Sequence, residues 1–140
     1  MDFSASFKIC ASGLLAQRTK MDAITSNIAN VETTRTPEGG PYKKKTVVLS
    51  AQPVSGSFEE TLKGAVSAVK VDRIEEDPGV KMVYDPQHPD AAPDGYVAKP
   101  DINMMLEMAE MINAGRNFEA CATAFDATKN MTLKTLEIGK

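Results

Sequence analysis

The chain has 140 residues, 42% of them apolar and 25% charged, which is the make-up of one ordinary globular domain, or a small domain with long appendages, and excludes a disordered tail. A net charge of −3 argues against nucleic acid as a partner, because phosphate binding needs a basic patch. No apolar run approaches the ~18 residues of a membrane span, so neither a transmembrane anchor nor a cleavable Sec-type signal is expected.

In the first thirty residues the apolar side chains recur as Phe3, Phe7, Cys10, Leu14, Met21, Ile24, Ile28 and Val31, a 4,3 spacing broken only where Gln17 fills the expected slot. The pattern predicts a helix over about residues 3–29, roughly 40 Å long at ~1.5 Å per residue. Asn30 tolerates the left-handed conformation and is a natural place for it to stop, and the β-branched Thr33 and Thr34 then favour extended chain.

Residues 37–100 change character and hold all eight prolines. Between the turn signals PEGGP, QPVSGS, DPGV and DPQHPDAAPDG lie short segments rich in Val, Ile and Tyr: YKKKTVVLSA, AVKVDRIEE, GVKMVYD and GYVAK. They predict three or four strands. FEETLKGA, residues 58–65, reads as a single helical turn or a loop. The lysines at 43–45 read as charge guarding an exposed sheet edge, or as a contact with an acidic neighbour.

After KPDIN, the residues Met104, Met108, Met111, Ala114, Phe118, Cys121 and Phe125 mark a second long stripe, with Glu107, Glu110, Glu119 and Lys129 outside it. Thr128 interrupts the stripe, which resumes at Leu133 and Leu136. Asn103 or Asp101 caps its start and Gly139 ends it. The fold class expected is therefore α+β: long N- and C-terminal helices forming an antiparallel, coiled-coil-like pair, with a small β-rich middle. Such a pair is marginal alone, since ordering about sixty residues costs more backbone entropy than one partner helix returns by burial. Single stripes of this kind finish their burial against other chains, and the methionines at 104, 105, 108 and 111 adapt such a surface to unequal neighbours. Phe3, Phe7, Leu14, Met21, Ile24, Ile28, Met108, Met111, Phe118, Phe125 and Leu136 are the candidate assembly-interface residues.

Reactive constellations are missing from the sequence. His88 is the single histidine; Asp85, Asp90 and Asp94 are near it, but their spacing is not that of a calcium loop and the prolines read as a rigid turn. No GxSxG, GxxxxGK, GxGxxG or HExxH occurs. Glu75 and Glu76, adjacent on a predicted strand, point to opposite faces. Cys10 and Cys121 read as buried small side chains on the two stripes. No enzyme, cofactor, metal or small-molecule substrate is expected.

The stretches ASGLLAQRTKMDAITSNIANVETTRTPEGGPYKKK, YDPQHPDAAPDGYV and EACATAFDATKNMTLKTLEIGK together resemble the bacterial flagellar axial proteins, and among them the basal-body rod proteins of the proximal rod. The resemblance spans nearly the whole chain and is weakest over about residues 52–72. It matches Asn27, Ala29, Asn30 and Thr33 to the family's junction motif, and Thr36, Pro37, Gly39, Gly40, Pro41 and Tyr42 to the segment that follows. It implies a structural subunit of the rod, exported by the flagellar type III system without signal cleavage into the periplasm. Residues 1–31 and 101–140 would supply helices to an inner tube, and residues 32–100 a junction and outer domain. The partners implied are other rod proteins, further copies of the chain, and the export-gate and membrane-ring base. A coiled-coil adaptor or secretion chaperone of the export system is the alternative. If residue 28 faces about 104, then 10 faces about 122, which brings Cys10 near Cys121 and makes a disulfide conceivable in an oxidising periplasm.

Overall fold

The computed structural model describes residues 3–53 and 67–139. The segment 58–65, expected as a helical turn or a loop, lies outside them. The elements run α1 (Phe3–Ala29), β1 (Lys44–Pro53), β2 (Ser67–Asp77), β3 (Val80–Tyr84), β4 (Tyr96–Pro100) and α2 (Met104–Ile138). The class is α+β, with one long helix at each end and two small sheets between them.

Each sheet is one antiparallel pair. β1 and β2 align Thr46 with Glu75 and Gln52 with Ala68, with an irregularity between Val48 and Leu49. β3 and β4 align Tyr84 with Tyr96, whose rings meet edge to face at 5.3 Å. Gly95 closes that second hairpin at a φ of 78°, a left-handed conformation that favours glycine, and the Tyr84 ring lies over it. The first sheet packs along α1, where Val69 N–H donates to Ser12 Oγ at 3.2 Å. The second is tied to the segment after α1 by a Lys99–Glu32 ion pair and by Thr34 Oγ1 donating to Asp90 at 2.8 Å.

The helix ends use different chemistry. Asn103 caps α2, its side-chain oxygen accepting from the backbone of Met105 and Leu106, and the Gly139 N–H closes the far end on the Thr135 carbonyl. α1 stops before Asn30, where the sequence places its end, without the left-handed conformation that Asn30 tolerates; among the described residues only glycines have positive φ. The Asn30 side-chain amide donates to the Ser26 carbonyl at 2.8 Å, which also accepts the Asn30 N–H at 3.1 Å, so the last turn closes without a change of handedness.

α1 meets α2 through Phe7 with Phe125, Gly13 with Cys121, Lys20 with Glu110 and Asn27 with Glu107, so that positions rise along one helix as they fall along the other. The buried faces differ from the expected seams. α1 buries Gly13, Ala16, Ala23, Ile24 and Asn27; α2 buries Glu107, Ala114 and Thr128. Glu107 was expected outside the stripe and Thr128 as its interruption, yet both face inward. The cause is size: glycine and alanine let the helices approach, so the closest line of contact runs along small residues and the large apolar ones flank it. Phe3, Phe7, Leu14, Met21, Ile28, Met111, Phe118 and Phe125 are half-buried, while Met108 and Leu136 are exposed. Gln17 carries a cost on α1, since its side-chain oxygen is buried with no hydrogen-bond partner among the described residues.

Candidate assembly site at the helix–strand junction

Where α1 ends, α2 begins and β1 passes, five side chains form one polar cluster around Asn27, which is 1% exposed. Asn27 Nδ2 donates to the Lys45 carbonyl at 2.9 Å and to Glu107 Oε2 at 3.1 Å. Its Oδ1 accepts from Lys45 N–H at 2.8 Å and from the Tyr42 hydroxyl at 3.2 Å. All four hydrogen-bonding positions of the amide are thus filled, which is what burial of an asparagine demands. Toward Lys45 the amide acts as one rung of a strand ladder and joins the first strand to the last turn of α1.

Glu107 brings the second helix into the cluster. It is 3% exposed, and Lys44 Nζ lies 2.8 Å from its Oε1, so its two oxygens are divided between a cation and the Asn27 amide. One carboxylate in the first turn of α2 thereby holds α1 and β1 together, at the positively polarised end of its own helix. One turn on, Glu110 receives Lys20 at 2.6 Å; that hydrogen bond and charge hold the Glu110 carboxyl below the ordinary carboxylate range.

The segment between α1 and β1 is shaped by the rest of the motif. Thr33 donates its hydroxyl to Asn30 Oδ1, and its carbonyl accepts from Tyr42 N–H, which folds residues 33–42 back on the helix end. Thr36 N–H donates to the Gly40 carbonyl, and Gly39 and Gly40 take φ values of 89° and 78° in the tip between them. Tyr42 reaches both Asn27 and Ser26 Oγ. The structure thus brings together Asn27, Asn30, Thr33, Thr36, Gly39, Gly40 and Tyr42; Ala29 and Pro37 are exposed and Pro41 is half-buried beside them. Sequence reasoning missed Glu107; of the lysines at 43–45, read as edge guards or as contacts with an acidic neighbour, Lys44 meets an acidic partner within the chain. The available signal was Asn27 set among Ile24, Ile28 and Val31 at the edge of an apolar stripe, where a polar side chain needs partners.

Elsewhere the expected residues form no centre of reaction. His88 Nδ1 accepts from Asp90 N–H inside a turn, and among the described residues no group of three or more His, Cys, Asp or Glu could hold a metal ion. Cys10 and Cys121 are half-buried free thiols, with Cys121 Sγ set against Gly13, one turn along α1 from Cys10. Among the described residues no helix is long and apolar enough to cross a membrane.

α2 leaves a great deal of apolar surface uncovered. Met104, Met105, Leu106, Met108 and Ile112 are all exposed near its start, and Leu133, Leu136 and Ile138 near its end. Against these stand only five buried apolar residues among those described: Ala16, Ala23, Ile24, Val97 and Ala114.

Comparison with known proteins accounts for both ends of the chain. Residues 7–35, which include the Asn27–Thr33 junction, match the family described as flagella basal body rod protein, and residues 94–138 match the flagellar basal body rod FlgEFG protein C-terminal family. Over 96% of its length the chain is 42% identical to the flagellar basal-body rod protein FlgC of Bacillus subtilis, covering 97% of that protein. It is 36% identical to the protein of the same name from Borreliella burgdorferi, with 99% and 98% of the two chains covered, and 37% identical to that of Aquifex aeolicus, with 100% and 99% covered. With the junction motif, the C-terminal helix and nearly the full length accounted for, the chain belongs to the flagellar basal-body rod protein FlgC family.

Proposed function

We propose that the chain is a structural subunit of the proximal rod that assembles helically with other axial proteins and transmits motor torque across the periplasm to the hook. In this reading α1 and α2 form an antiparallel, coiled-coil-like pair; residues 1–31 and 101–140 line an inner tube and residues 32–100 make the junction and an outer domain. The neighbours are other rod proteins, further copies of the chain, and the export-gate and membrane-ring base. The chain reaches the periplasm through the flagellar type III route without signal cleavage and catalyses nothing.

The observation that carries this reading is the imbalance between the five buried apolar residues and the long exposed apolar surface of α2. Patches of that extent on a soluble chain mark surfaces destined for other proteins. Phe3, Phe7, Leu14, Met21, Ile28, Met108, Met111, Phe118, Phe125 and Leu136 then supply intersubunit burial around the buried Ile24. The Asn27 cluster has a matching mechanical role, because it couples the helix pair to the first sheet and passes load from tube to outer domain through directional bonds.

Purified basal bodies test this. Ile24→Asp places an unpaired charge in the helix contact, at a cost of several kcal/mol, and is expected to abolish swimming and remove the chain from the rod. Full motility of that variant overturns the assembly reading. Recovery of the wild-type chain only in soluble complexes, never in basal bodies, selects the adaptor or chaperone alternative.

A further inference from the structure

α2 is longer than the helix it packs on. Phe7 meets Phe125 and the described part of α1 begins one turn earlier, at Phe3, whereas α2 continues to Ile138. Residues 133–139 are all exposed. Leu133, Leu136 and Glu137 stand at i, i+3 and i+4 and so share one face, from which Lys134 is turned away. That face lies past Phe3, the first described residue of α1, and beside the line of Glu107, Ala114, Cys121 and Thr128 that packs on α1. The last turn holds no basic residue, so the negative end of the helix dipole is uncompensated there.

At the other end of the helix pair lies a groove of about 290 Å³ between α1, β1 and the start of α2. Ile24, Val47 and Leu106 line it, and Lys20, Lys44 and Lys45 rim it. Glu110 and Glu107 engage Lys20 and Lys44, but Lys45 has no carboxylate partner among the described residues and rests 6.0 Å from the Tyr42 ring centroid. The groove has an apolar floor and one spare positive charge. Its size is at the low end for a ligand pocket, which starts at roughly 300 Å³, and suits a few aliphatic side chains better than a cofactor.

We propose that the overhanging last two turns of α2 dock in this groove on a second copy of the chain, with Leu133 and Leu136 on Ile24, Val47 and Leu106, and with Glu137 and the helix C-terminus facing Lys45. About 29 residues of helix separate tail from groove, roughly 40 Å, so one molecule cannot fill its own groove. The contact is head to tail, and a contact of that type propagates from copy to copy, as a ring or a helical array, instead of closing a twofold dimer. This proposal rests on the rod-subunit reading and specifies one contact within it.

Cysteine cross-linking of the full-length chain tests it. In a background of Cys10→Ser and Cys121→Ser, Leu136→Cys is combined with Val47→Cys, and basal bodies are oxidised with copper phenanthroline. The expected result is a reducible ladder of dimers and higher multiples, absent from each single variant and appearing as dimer when the two single variants are coexpressed. Glu137→Lys should cut the cross-linked fraction several-fold, and adding Lys45→Glu should restore it. Rods that contain the chain in motile cells but yield no Leu136→Cys to Val47→Cys product overturn the docking and leave the rod reading intact. A cross-link from Val47→Cys to a different protein does the same. Absence of the chain from basal bodies overturns both.

Discussion

Asn27→Asp changes one atom type at the centre of the junction cluster and leaves its shape alone. The amide nitrogen that donates to the Lys45 carbonyl at 2.9 Å and to Glu107 at 3.1 Å becomes an oxygen facing two acceptors. Two ionised carboxylates at that separation repel by about 5 kcal/mol at an effective dielectric near 20, so one of them retains a proton instead. A carboxyl that holds its proton to about pH 7 rather than about pH 4 costs on the order of 4 kcal/mol at neutral pH, at ~1.4 kcal/mol per unit. Lys44 on the far oxygen of Glu107 offsets part of this, and the expected net loss is about 3 to 4 kcal/mol at neutral pH. The sign with pH follows from linkage. The variant's folded state binds a proton that its unfolded state has released above about pH 4, so the penalty is small near pH 4 and grows as pH rises toward the raised folded pKa. Urea unfolding of the full chain followed by circular dichroism at 222 nm, in trimethylamine oxide to populate the folded state, measures this at both pH values. Asn27→Ala is the control: it loses all four of the amide's hydrogen bonds without adding a charge, and its destabilisation should be about equal at both. Adding Glu107→Gln to Asn27→Asp should remove most of the pH dependence. A loss for Asn27→Asp below about 1 kcal/mol at neutral pH, or one that does not grow with pH, refutes the buried Asn27–Glu107 contact.

Two further substitutions probe the packing of α1. Gln17→Leu removes a buried oxygen that has no partner among the described residues and adds apolar burial, so it should raise the unfolding free energy by about 1 to 3 kcal/mol; a lower denaturation midpoint than wild type counts against the packing of α1 described above. Gly13→Ala puts a Cβ 3.0 Å from Cys121 Sγ, so overpacking of about 1 to 3 kcal/mol opposes a helix-propensity gain of up to about 1 kcal/mol. In a Cys121→Ala background the clash is gone and the same substitution should stabilise, a reversal of sign that a double-mutant cycle in urea reads directly.

The two helices and the strands were legible because each obeys a period its residues state openly. The 4,3 recurrence from Phe3 to Ile28 places α1 within a residue or two of its ends, the stripe from Met104 to Leu136 between Asn103 and Gly139 does the same for α2, and the Val-rich runs between turn signals place the strands. The register supposed in weighing the two cysteines, residue 28 against about 104, lies close to the observed Asn27–Glu107 and Phe7–Phe125 contacts, although the sequence does not fix it. What was hidden is which side of each helix faces the other. Counting large apolar residues finds the stripe but not its centre line, because Gly13, Ala16 and Ala114 contribute little hydrophobicity and much proximity. For the same reason Glu107 read as a solvated charge: its burial depends on Asn27 and Lys44, which reach it from 80 and 63 residues away in the chain.

That hidden carboxylate also bears on why the junction is polar in a chain so short of core. A hydrophobic cluster at the same place would be tolerant of sliding, since apolar contacts reward area and not direction. Asn27 instead makes four hydrogen bonds in four fixed directions, and Glu107 adds one more contact, to Lys44, so a shift of one residue between α1, β1 and α2 would leave several buried groups unpaired at about 1 to 3 kcal/mol each. The helix pair elsewhere is held by small residues and half-exposed apolar ones, which permit sliding. Register along the whole pair is therefore set at one end, by the cluster, and carried outward by helix rigidity. On the docking proposed above, the overhang of α2 has to stand at a defined height, and a polar lock at the junction achieves what the alanine-lined contact cannot.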